Sequence, residues 1–382
     1  MSTLVRRWSA SKGLRALIPQ WVIRLIRRHA PMHRIQQDLW LSQNPWAGTP
    51  AEWEYTGSSQ HRLGILRDPA QHHRNIMAAC QELNVSYRVI DLFAEDWIER
   101  IRSSECDAFM VWPTVANTLW KTVCDERIAV LTGSLGKVVY PDPLAVWLYE
   151  SKRRSRDWML ANGVEHPRTW VFLHEQQALD FVAAATYPLV YKTDLGAAAA
   201  GVEIVRDPAR ARAIVLKAFR SGIVVPRGDN RDRFWGHVFF QEYLPAVQEW
   251  RIVRVGNNFF CRYKVPGADG LHSGSGTIRW ERPPIELLER TWQITERAGF
   301  TSMNIDYFET QDGRYLVNEL HAVFGSKPRD RELGQENLGR WLRDANGDWT
   351  FEKGYWYYNA CSNLRVQLVL ASLGESIAVQ PS

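Results

Sequence analysis

From residue 61 onward the sequence alternates short apolar runs with amphipathic stretches, and this alternation restricts the fold more than any other feature. The apolar runs are rich in β-branched and aromatic residues, which favour strands, whereas the stretches between them have helical spacing. Strands are predicted at 63–66, 87–92, 108–112 and 138–140, with helices at 76–83 and 97–101. Strands joined by helical crossovers form parallel sheets, so the pattern predicts a small parallel α/β domain.

The remainder of the chain is predicted to be α+β. One long helix is expected from Pro143 to Gly163, because a proline suits a helix start and a glycine suits its end. Strands are then predicted at 169–173, 189–193 and 202–205, followed by a mobile loop at 221–237, and further strands at 238–243, 249–255, 258–264, 303–309 and 315–319. The predicted domains are a basic arm at 1–60, the parallel domain at 61–150, α+β subdomains at 151–237 and 238–345, and a C-terminal extension at 346–382.

Composition excludes several classes of protein. The five cysteines lie far apart and form no C-x-x-C pair, so neither a disulfide framework nor a zinc site is encoded. No apolar run approaches the roughly 18 to 20 residues that are needed to cross a bilayer. We therefore expect a cytoplasmic protein without a membrane span.

The first 37 residues carry eight Lys or Arg and no acidic residue. Within them Arg24, Arg27 and Arg28 interrupt an apolar stretch, which is typical of a basic amphipathic helix. Packing of this helix on its own domain is the favoured interpretation, and contact with the inner membrane surface is the open alternative. No nucleic-acid partner is expected, because no helix-turn-helix or RNA-stacking motif accompanies the arm.

Three further segments indicate binding chemistry. Lys192 ends a predicted strand and is followed by a run of glycine and alanine from Gly196 to Gly201, a turn in which backbone N–H groups can approach an anion. Alternation along the next strands puts Glu249 and Arg251 on one face. Asp306 and Glu319 lie on successive paired strands, and two such carboxylates make a divalent-cation site plausible.

In this order the segments resemble the ATP-grasp superfamily, in particular its D-alanine:D-alanine ligase and ribosomal-protein glutamate ligase branches, over roughly residues 138–325. The resemblance implies a parallel α/β domain followed by two α+β subdomains that grip ATP, with ATP and Mg²⁺ as cofactors. It also implies a set of nucleotide-binding residues: Lys152 and Lys192 for the phosphates, the small-residue turn with Gly196 and Gly201, the hinge strand with Gln241, Glu242, Tyr243 and Leu244 for adenine, and Glu249 for the ribose.

The resemblance further implies a reaction centre with Arg251, Arg262, Lys264 and Ser275 near the transferred phosphoryl group. The metal carboxylates would be Asp306 and Glu319. The family's Glu-x-Asn motif is here Glu319-Leu320-His321, and an imidazole is a poor magnesium ligand. The predicted metal residues are thus Asp306, Glu319, Asn304 and His321: Asn304 or water is expected to complete the second magnesium, and His321 is expected to act around the metal or to contact phosphate. Asn318 is expected to face away.

The resemblance predicts a carboxylate–amine ligase that activates a small-molecule carboxylate as an acylphosphate and joins it to an amine. Similarity to ligases encoded with bacterial surface-polysaccharide genes suggests a glycan or peptide precursor as one substrate. Part of a substrate pocket is expected near Trp112, at a strand end of the first domain. Two alternatives stay open: a small-molecule kinase, and a nucleotide-binding protein without catalysis.

Overall fold

The computed structural model describes residues 53–69, 71–115, 117–194, 201–224, 232–265, 277–324, 331–356 and 359–378, with the backbone alone at 331 and 332. The basic arm up to residue 52, Gly196 and Ser275 therefore lie outside the described residues. Among the described helices none is long and apolar enough to cross a membrane.

The first domain is built on a five-stranded sheet. Its strands are β1 (Glu54–Tyr55), β2 (Arg62–Leu66), β3 (Ser86–Ile90), β4 (Ala108–Met110) and β5 (Val138–Tyr140). They lie in the order β1-β3-β2-β4-β5, and all pairs are parallel except β1 with β3. The structure thus adds an edge strand from the segment predicted to belong to the arm. Because the chain crosses from β3 to the far side of β2, the strand order reverses between β2 and β4.

Helices pack on both faces of this sheet: α1 (Arg74–Glu82) on one face, and α2 (Trp97–Arg102) and α3 (Thr118–Gly133), which was not predicted, on the other. Two helices follow β5, α4 (Pro143–Leu148) and α5 (Lys152–Ala161), and Met159 of α5 belongs to a different apolar core, around Trp250 and Ile305. The predicted single helix from Pro143 to Gly163 is therefore wrong. Glu150 has a left-handed backbone with φ 60° and breaks the helix, and the Ser151 hydroxyl begins the next one by accepting from the Arg154 N–H.

The next domain corresponds to the first predicted α+β subdomain, the lid subdomain of the ATP-grasp prediction, and is called the lid below. It is an antiparallel sheet covered by two helices. Its elements are β6 (Thr169–Phe172), α6 (Glu175–Ala184), β7 (Leu189–Lys192), β8 (Val202–Val205), α7 (Pro208–Arg220), a hairpin of β9 (Ile223–Val224) and β10 (Arg233–Phe234), and β11 (Val238–Glu242). The order β6-β11-β7-β8 places β11 inside the lid, in contrast to the predicted boundary at residue 237. The hairpin also orders both ends of the predicted mobile loop.

The last domain is an eight-stranded sheet. Its elements are β12 (Gln248–Val255), β13 (Asn258–Lys264), β14 (Thr277–Trp280), α8 (Ile285–Ala298), β15 (Ser302–Glu309), β16 (Tyr315–His321), β17 (Arg331–Leu333), β18 (Gly339–Arg343), β19 (Trp349–Lys353) and α9 (Asn359–Ser372). The hairpin of β18 and β19 spans the predicted boundary at residue 345. Helix α9 packs against α1, so Val366, Val369 and Leu370 complete the core of the first domain.

The two faces of the eight-stranded sheet differ. One face packs against α8 through a large apolar core that includes Trp250, Ile252 and Ile305. Strand alternation sends Glu249, Arg251, Lys264, Arg262, Asn304, Asp306, Glu319 and His321 to the other face. That polar face, at the end of the sheet nearest the lid, forms the candidate site.

Candidate active site

A cleft lies between the lid sheet and the eight-stranded sheet. Residues from three parts of the chain line the cleft. Lys152 comes from the start of α5, and Lys192 and Gln241 come from strands of the lid. Strand β16 contributes Asn318, Glu319 and His321. The cleft therefore sets two lysines opposite the acidic end of β16.

Asp194 joins the two segments of the chain that carry Lys152 and Lys192. Its Oδ1 accepts hydrogen bonds from the Ser151 hydroxyl at 3.1 Å and from the Arg153 N–H at 2.9 Å. Its carbonyl oxygen accepts from the Lys152 N–H at 3.3 Å. These contacts join the N-terminus of α5 to the end of β7, so Lys152 and Lys192 reach the same cleft.

The pKa of Lys192 is lowered to about 8, mainly because burial penalises its charged form. The nearby positive charge of Lys152 acts in the same direction, and the negative charge of Glu319 opposes it. An anion next to Lys192 would stabilise its charged form. The two lysines are therefore suited to bind a polyanion such as a phosphate chain.

Asn318 faces the cleft, so the expectation that it faces away is wrong. The pairing of β15 with β16 shifts between Asp306 and Tyr307, which pair with Glu319 and Val317, and Asn318 is the extra residue of a β-bulge. The bulge turns its side chain toward the lid, where Oδ1 accepts a hydrogen bond from Lys192 Nζ at 3.1 Å. This contact links the lid to the eight-stranded sheet across the cleft.

Asp306, Glu319 and His321 bring their potential ligand atoms within 4.8 Å of one another. Burial acts against ionisation of Glu319, but its hydrogen bond with His321 and the charge of Lys152 hold its pKa below the ordinary value. Both carboxylates are thus ionised in the folded protein, since Arg251 and Lys264 likewise hold the pKa of Asp306 well below its ordinary value despite burial.

His321 lies among three carboxylates. Its Nε2 is 3.1 Å from Glu319 Oε2 and 3.8 Å from Asp306 Oδ2, and its Nδ1 is 3.5 Å from Glu150 Oε1. Burial acts against a charged imidazole, but these carboxylates raise the pKa of His321 well above its ordinary value. The carboxylates therefore favour the charged form of the His321 imidazole, whose ring lies in the same cluster as the predicted metal carboxylates. Sequence reasoning did not single out Glu150, which enters the site through the break between α4 and α5.

The oxygen donors nevertheless fit a hard cation such as Mg²⁺. Asn304 is fully buried, and no hydrogen bond to its Oδ1 is made by any described residue. Its Nδ2 donates to Asp306 Oδ1 at 3.3 Å, which fixes the amide beside the carboxylates. Asp306, Glu319 and Asn304 together offer the carboxylate and amide oxygens that were expected of the metal site.

Buried ion pairs occupy the strands next to Asp306. Arg251 donates to both Asp306 oxygens at 2.7 Å each, and Lys264 donates to Oδ2 at 2.6 Å. Lys264 also donates to Glu249, which is 2% exposed. Arg262 is buried directly opposite Arg251 in the strand register. The structure thus gathers all four predicted residues of β12 and β13 beside the carboxylates.

The predicted hinge residues separate into two groups. Gln241 lines the cleft and donates to the Thr169 hydroxyl at 3.1 Å. The Glu242 carboxylate instead accepts from the Arg168 backbone N–H at 2.7 Å and from Nε at 2.8 Å, so it fixes the hinge. Tyr243 and Leu244 follow directly, where the chain passes from the lid to β12.

Gly201 lies directly before β8, opposite the end of β7 that carries Lys192. Its φ is 87°, and an added Cβ would lie 2.2 Å from Thr193 Oγ1. Its carbonyl oxygen accepts from the Thr193 N–H at 3.0 Å. Glycine is therefore required here, because a side chain would strain this backbone and clash with Thr193.

Comparison with known proteins identifies the fold. No protein-family model matches the chain, and no curated protein matches it. D-alanine–D-alanine ligase from Bacillus anthracis matches 82% of this chain and 98% of its own, with a TM-score of 0.53 and 15% identity. The biotin carboxylase domain of Hydrogenobacter thermophilus 2-oxoglutarate carboxylase, solved with magnesium–ADP, matches 70% of this chain and 65% of its own, with a TM-score of 0.50 and 13% identity. The chain has the ATP-grasp fold, as the sequence predicted.

Proposed function

We propose that the protein is an ATP-dependent carboxylate–amine ligase. The observation that carries the proposal is the position of Lys152 and Lys192 opposite Asp306 and Glu319 in one cleft. A metal-bound polyphosphate needs both kinds of group, because cations bind its phosphate oxygens and carboxylate oxygens bind its metal ion. The magnesium–ADP in the Hydrogenobacter thermophilus domain supports the same choice of ligand.

In this proposal the two lysines bind the phosphates, and Lys192 exchanges its contact with Asn318 for a phosphate oxygen. Adenine is received by the backbone of the hinge from Gln241 to Leu244. Glu249 is proposed to hold the ribose, which requires a change in its contact with Lys264.

Asp306, Glu319 and Asn304 would hold Mg²⁺, which supplies neutralising charge beside the β- and γ-phosphates. The chain's own cations act at the same place. Arg251, Arg262 and Lys264 lie on adjacent strands next to Asp306, where they are suited to stabilise charge on a transferred phosphoryl group.

The proposed reaction has two steps. An oxygen of the substrate carboxylate attacks the γ-phosphorus, the bond to the β-phosphate oxygen breaks, and ADP leaves. The amine then attacks the acyl carbon of the acylphosphate, phosphate leaves with the electron pair of the broken C–O bond, and the nitrogen loses a proton. The substrates are proposed to be small molecules, with a bacterial surface-glycan or peptide precursor among them.

One observation favours a second candidate, a nucleotide-binding protein without catalysis. His321, whose charged form is favoured by three carboxylates, stands where the family's motif has a neutral asparagine. Such a charge weakens divalent-cation binding unless the imidazole loses its proton or moves away.

Trapping the activated carboxylate separates these candidates. The protein is incubated with ATP, Mg²⁺, mixed amino acids and uronic acids, and hydroxylamine, which converts an acylphosphate into a hydroxamate. The proposal expects ADP together with a hydroxamate detected by mass spectrometry. ADP with a phosphorylated alcohol and no acyl product would indicate a kinase, and bound but unconsumed ATP would indicate the second candidate.

A further inference from the structure

A patch of exposed aromatic and apolar side chains lies on the first domain, beside the point where the chain enters it. Trp53 is 48% exposed, Leu119 is 68% exposed and Trp120 is 36% exposed. The ring of the half-buried Phe93 lies against that of Trp120, with centres 4.3 Å apart. These four residues are called the aromatic patch below. A contiguous exposed apolar patch on a globular protein marks a surface that another segment or molecule covers.

A series of contacts joins Trp53 to the rest of the aromatic patch. The guanidinium carbon of Arg67 lies 5.4 Å from the ring centre of Trp53, and Arg67 Nη1 donates to Asp91 Oδ2 at 2.7 Å. Asp91 Oδ1 in turn accepts from the Phe93 backbone N–H at 2.9 Å. The loop after β3 therefore connects the entry of the chain to the rings of Phe93 and Trp120.

The α3 side of the patch is held in place at both of its ends. The Asn117 side chain caps α3 by accepting from the Trp120 N–H at 2.9 Å. The Thr118 N–H donates to Asp232 of the lid at 3.0 Å. Leu119 lies between these two contacts, so the first turn of α3 presents a preformed surface, and little order has to be imposed on it when it is covered.

The charge beside the patch favours a basic occupant. Segment 91–99, which includes a residue of the patch, contains four acidic residues and no Lys or Arg. Asp91 and Asp96 pair with nearby arginines, whereas Glu95 and Glu99 are exposed. These carboxylates attract a cationic segment and repel an anionic lipid surface.

The basic arm is the occupant that the course of the chain brings to this place. The Trp53 carbonyl oxygen accepts from the Val89 N–H at 2.7 Å, so the arm joins the first domain at the patch itself. Residues 1–37 carry eight Lys or Arg and no acidic residue, and the predicted amphipathic stretch at 21–28 combines apolar side chains with three arginines. At up to about 3.3 Å per residue, residues 29–52 are long enough to bring this stretch back to the patch.

We propose that the basic arm packs on the aromatic patch of its own chain. Its apolar side chains cover the four patch residues, and Arg24, Arg27 and Arg28 lie near the acidic side chains of segment 91–99. The inference depends on this surface and on the charge of the arm, and it is independent of the proposed ligase function.

Fluorine NMR on the full chain measures this packing. The protein is made with 5-fluorotryptophan, the signals are assigned by single replacements with phenylalanine, and a spin label is attached to Gln20→Cys beside the amphipathic stretch. The label is selective, because the five native cysteines are buried. We expect loss of the Trp53 and Trp120 signals through broadening. The signals of Trp292 and Trp349, which pack on the core of the last domain, should stay sharp.

Charge reversal tests whether the broadening depends on the arginines of the arm. Three of them are changed together to glutamate: Arg24, Arg27 and Arg28. This variant should regain sharp patch signals, because like charges then face segment 91–99. The matched control makes the same change of charge at three exposed lid residues: Arg206, Arg212 and Lys217. The control should keep the broadening.

The proposal is overturned if the Trp53 and Trp120 signals stay sharp in the wild-type protein, if they broaden no more than those of Trp292 and Trp349, or if the two triple variants behave alike. A mixture of spin-labelled protein with separate fluorinated protein tests for a second copy, and broadening in that mixture would contradict packing within one chain. Vesicles of phosphatidylcholine and phosphatidylglycerol test the membrane. A full chain that binds them while both patch signals stay sharp would assign the arm to the lipid surface instead.

Discussion

The Ser151 hydroxyl donates a hydrogen bond to Asp194 Oδ1 over 3.1 Å and so attaches the start of α5 to the end of β7. Asp194 also accepts from the Arg153 N–H, as an N-cap residue would, although it lies 41 residues away in sequence. The relative position of Lys152 and Lys192, which we propose to bind phosphate, depends on this contact.

Asp194→Ala is expected to weaken binding of an ATP analogue without removing a phosphate ligand, because Lys152 is no longer held beside Lys192. Loss of a helix cap also costs about 0.5 to 2 kcal/mol of stability. Asp207→Ala is the control, since Asp207 caps α7 in the same lid through the Arg210 N–H. Calorimetry should show that Asp194→Ala binds the ATP analogue more weakly than the wild type and that Asp207→Ala does not. Equal affinities in the two variants would contradict the account.

Affinity for the ATP analogue should fall as pH rises through about 8, where the buried Lys192 ammonium loses its proton. The sign follows from charge: the protonated lysine attracts phosphate and the neutral amine does not. Lys192→Arg should remove most of this dependence, because a guanidinium stays charged. A titration over this range with the two proteins checks the prediction, and parallel curves would refute it.

Replacement of His321 by asparagine should preserve or raise magnesium-dependent ATP turnover, because it replaces a cation with a neutral oxygen donor. In this variant Glu150, Asp306 and Glu319 no longer have an imidazole among them to balance their charge. Without Mg²⁺ the variant should therefore melt at a lower temperature than the wild type, and added Mg²⁺ should raise its melting temperature more. Glu319→Gln should nearly abolish turnover. A folded His321→Asn protein as inactive as Glu319→Gln would give His321 a specific catalytic role.

The basic arm is expected to bind anionic surfaces through Arg24, Arg27 and Arg28 if it acts at the membrane. Removal of residues 1–37 should then reduce binding to vesicles of anionic lipid, and binding by the full chain should weaken as salt rises. A shortened protein that loses its fold while the full chain never binds vesicles would instead support packing of the arm on its own domain.

Strand periodicity predicted most of the fold and the shared face of Glu249 and Arg251, because alternation is a local property. It could not predict the bulge at Asn318 or the helix break at Glu150, since each is a single-residue departure from a regular pattern. Residues from distant segments were also missed: the contact of Asp194 with α5 and the burial of Arg365 of α9 over the ring of Phe324 arise from tertiary packing. In the sequence Asp194 is only an acid after a strand, and Arg365 is only a base within an apolar helix, so neither stands out.

Calorimetric titration with a non-hydrolysable ATP analogue tests the central claim most directly, that Lys192 binds the phosphates of a nucleotide in this cleft. Lys192→Ala removes a charge-assisted hydrogen bond, so binding should weaken by about 1.5 to 3 kcal/mol, roughly ten- to a hundred-and-fiftyfold. Lys217→Ala, on the exposed face of α7, should bind as the wild type does. Unchanged affinity in a folded Lys192→Ala protein would contradict the proposed nucleotide site.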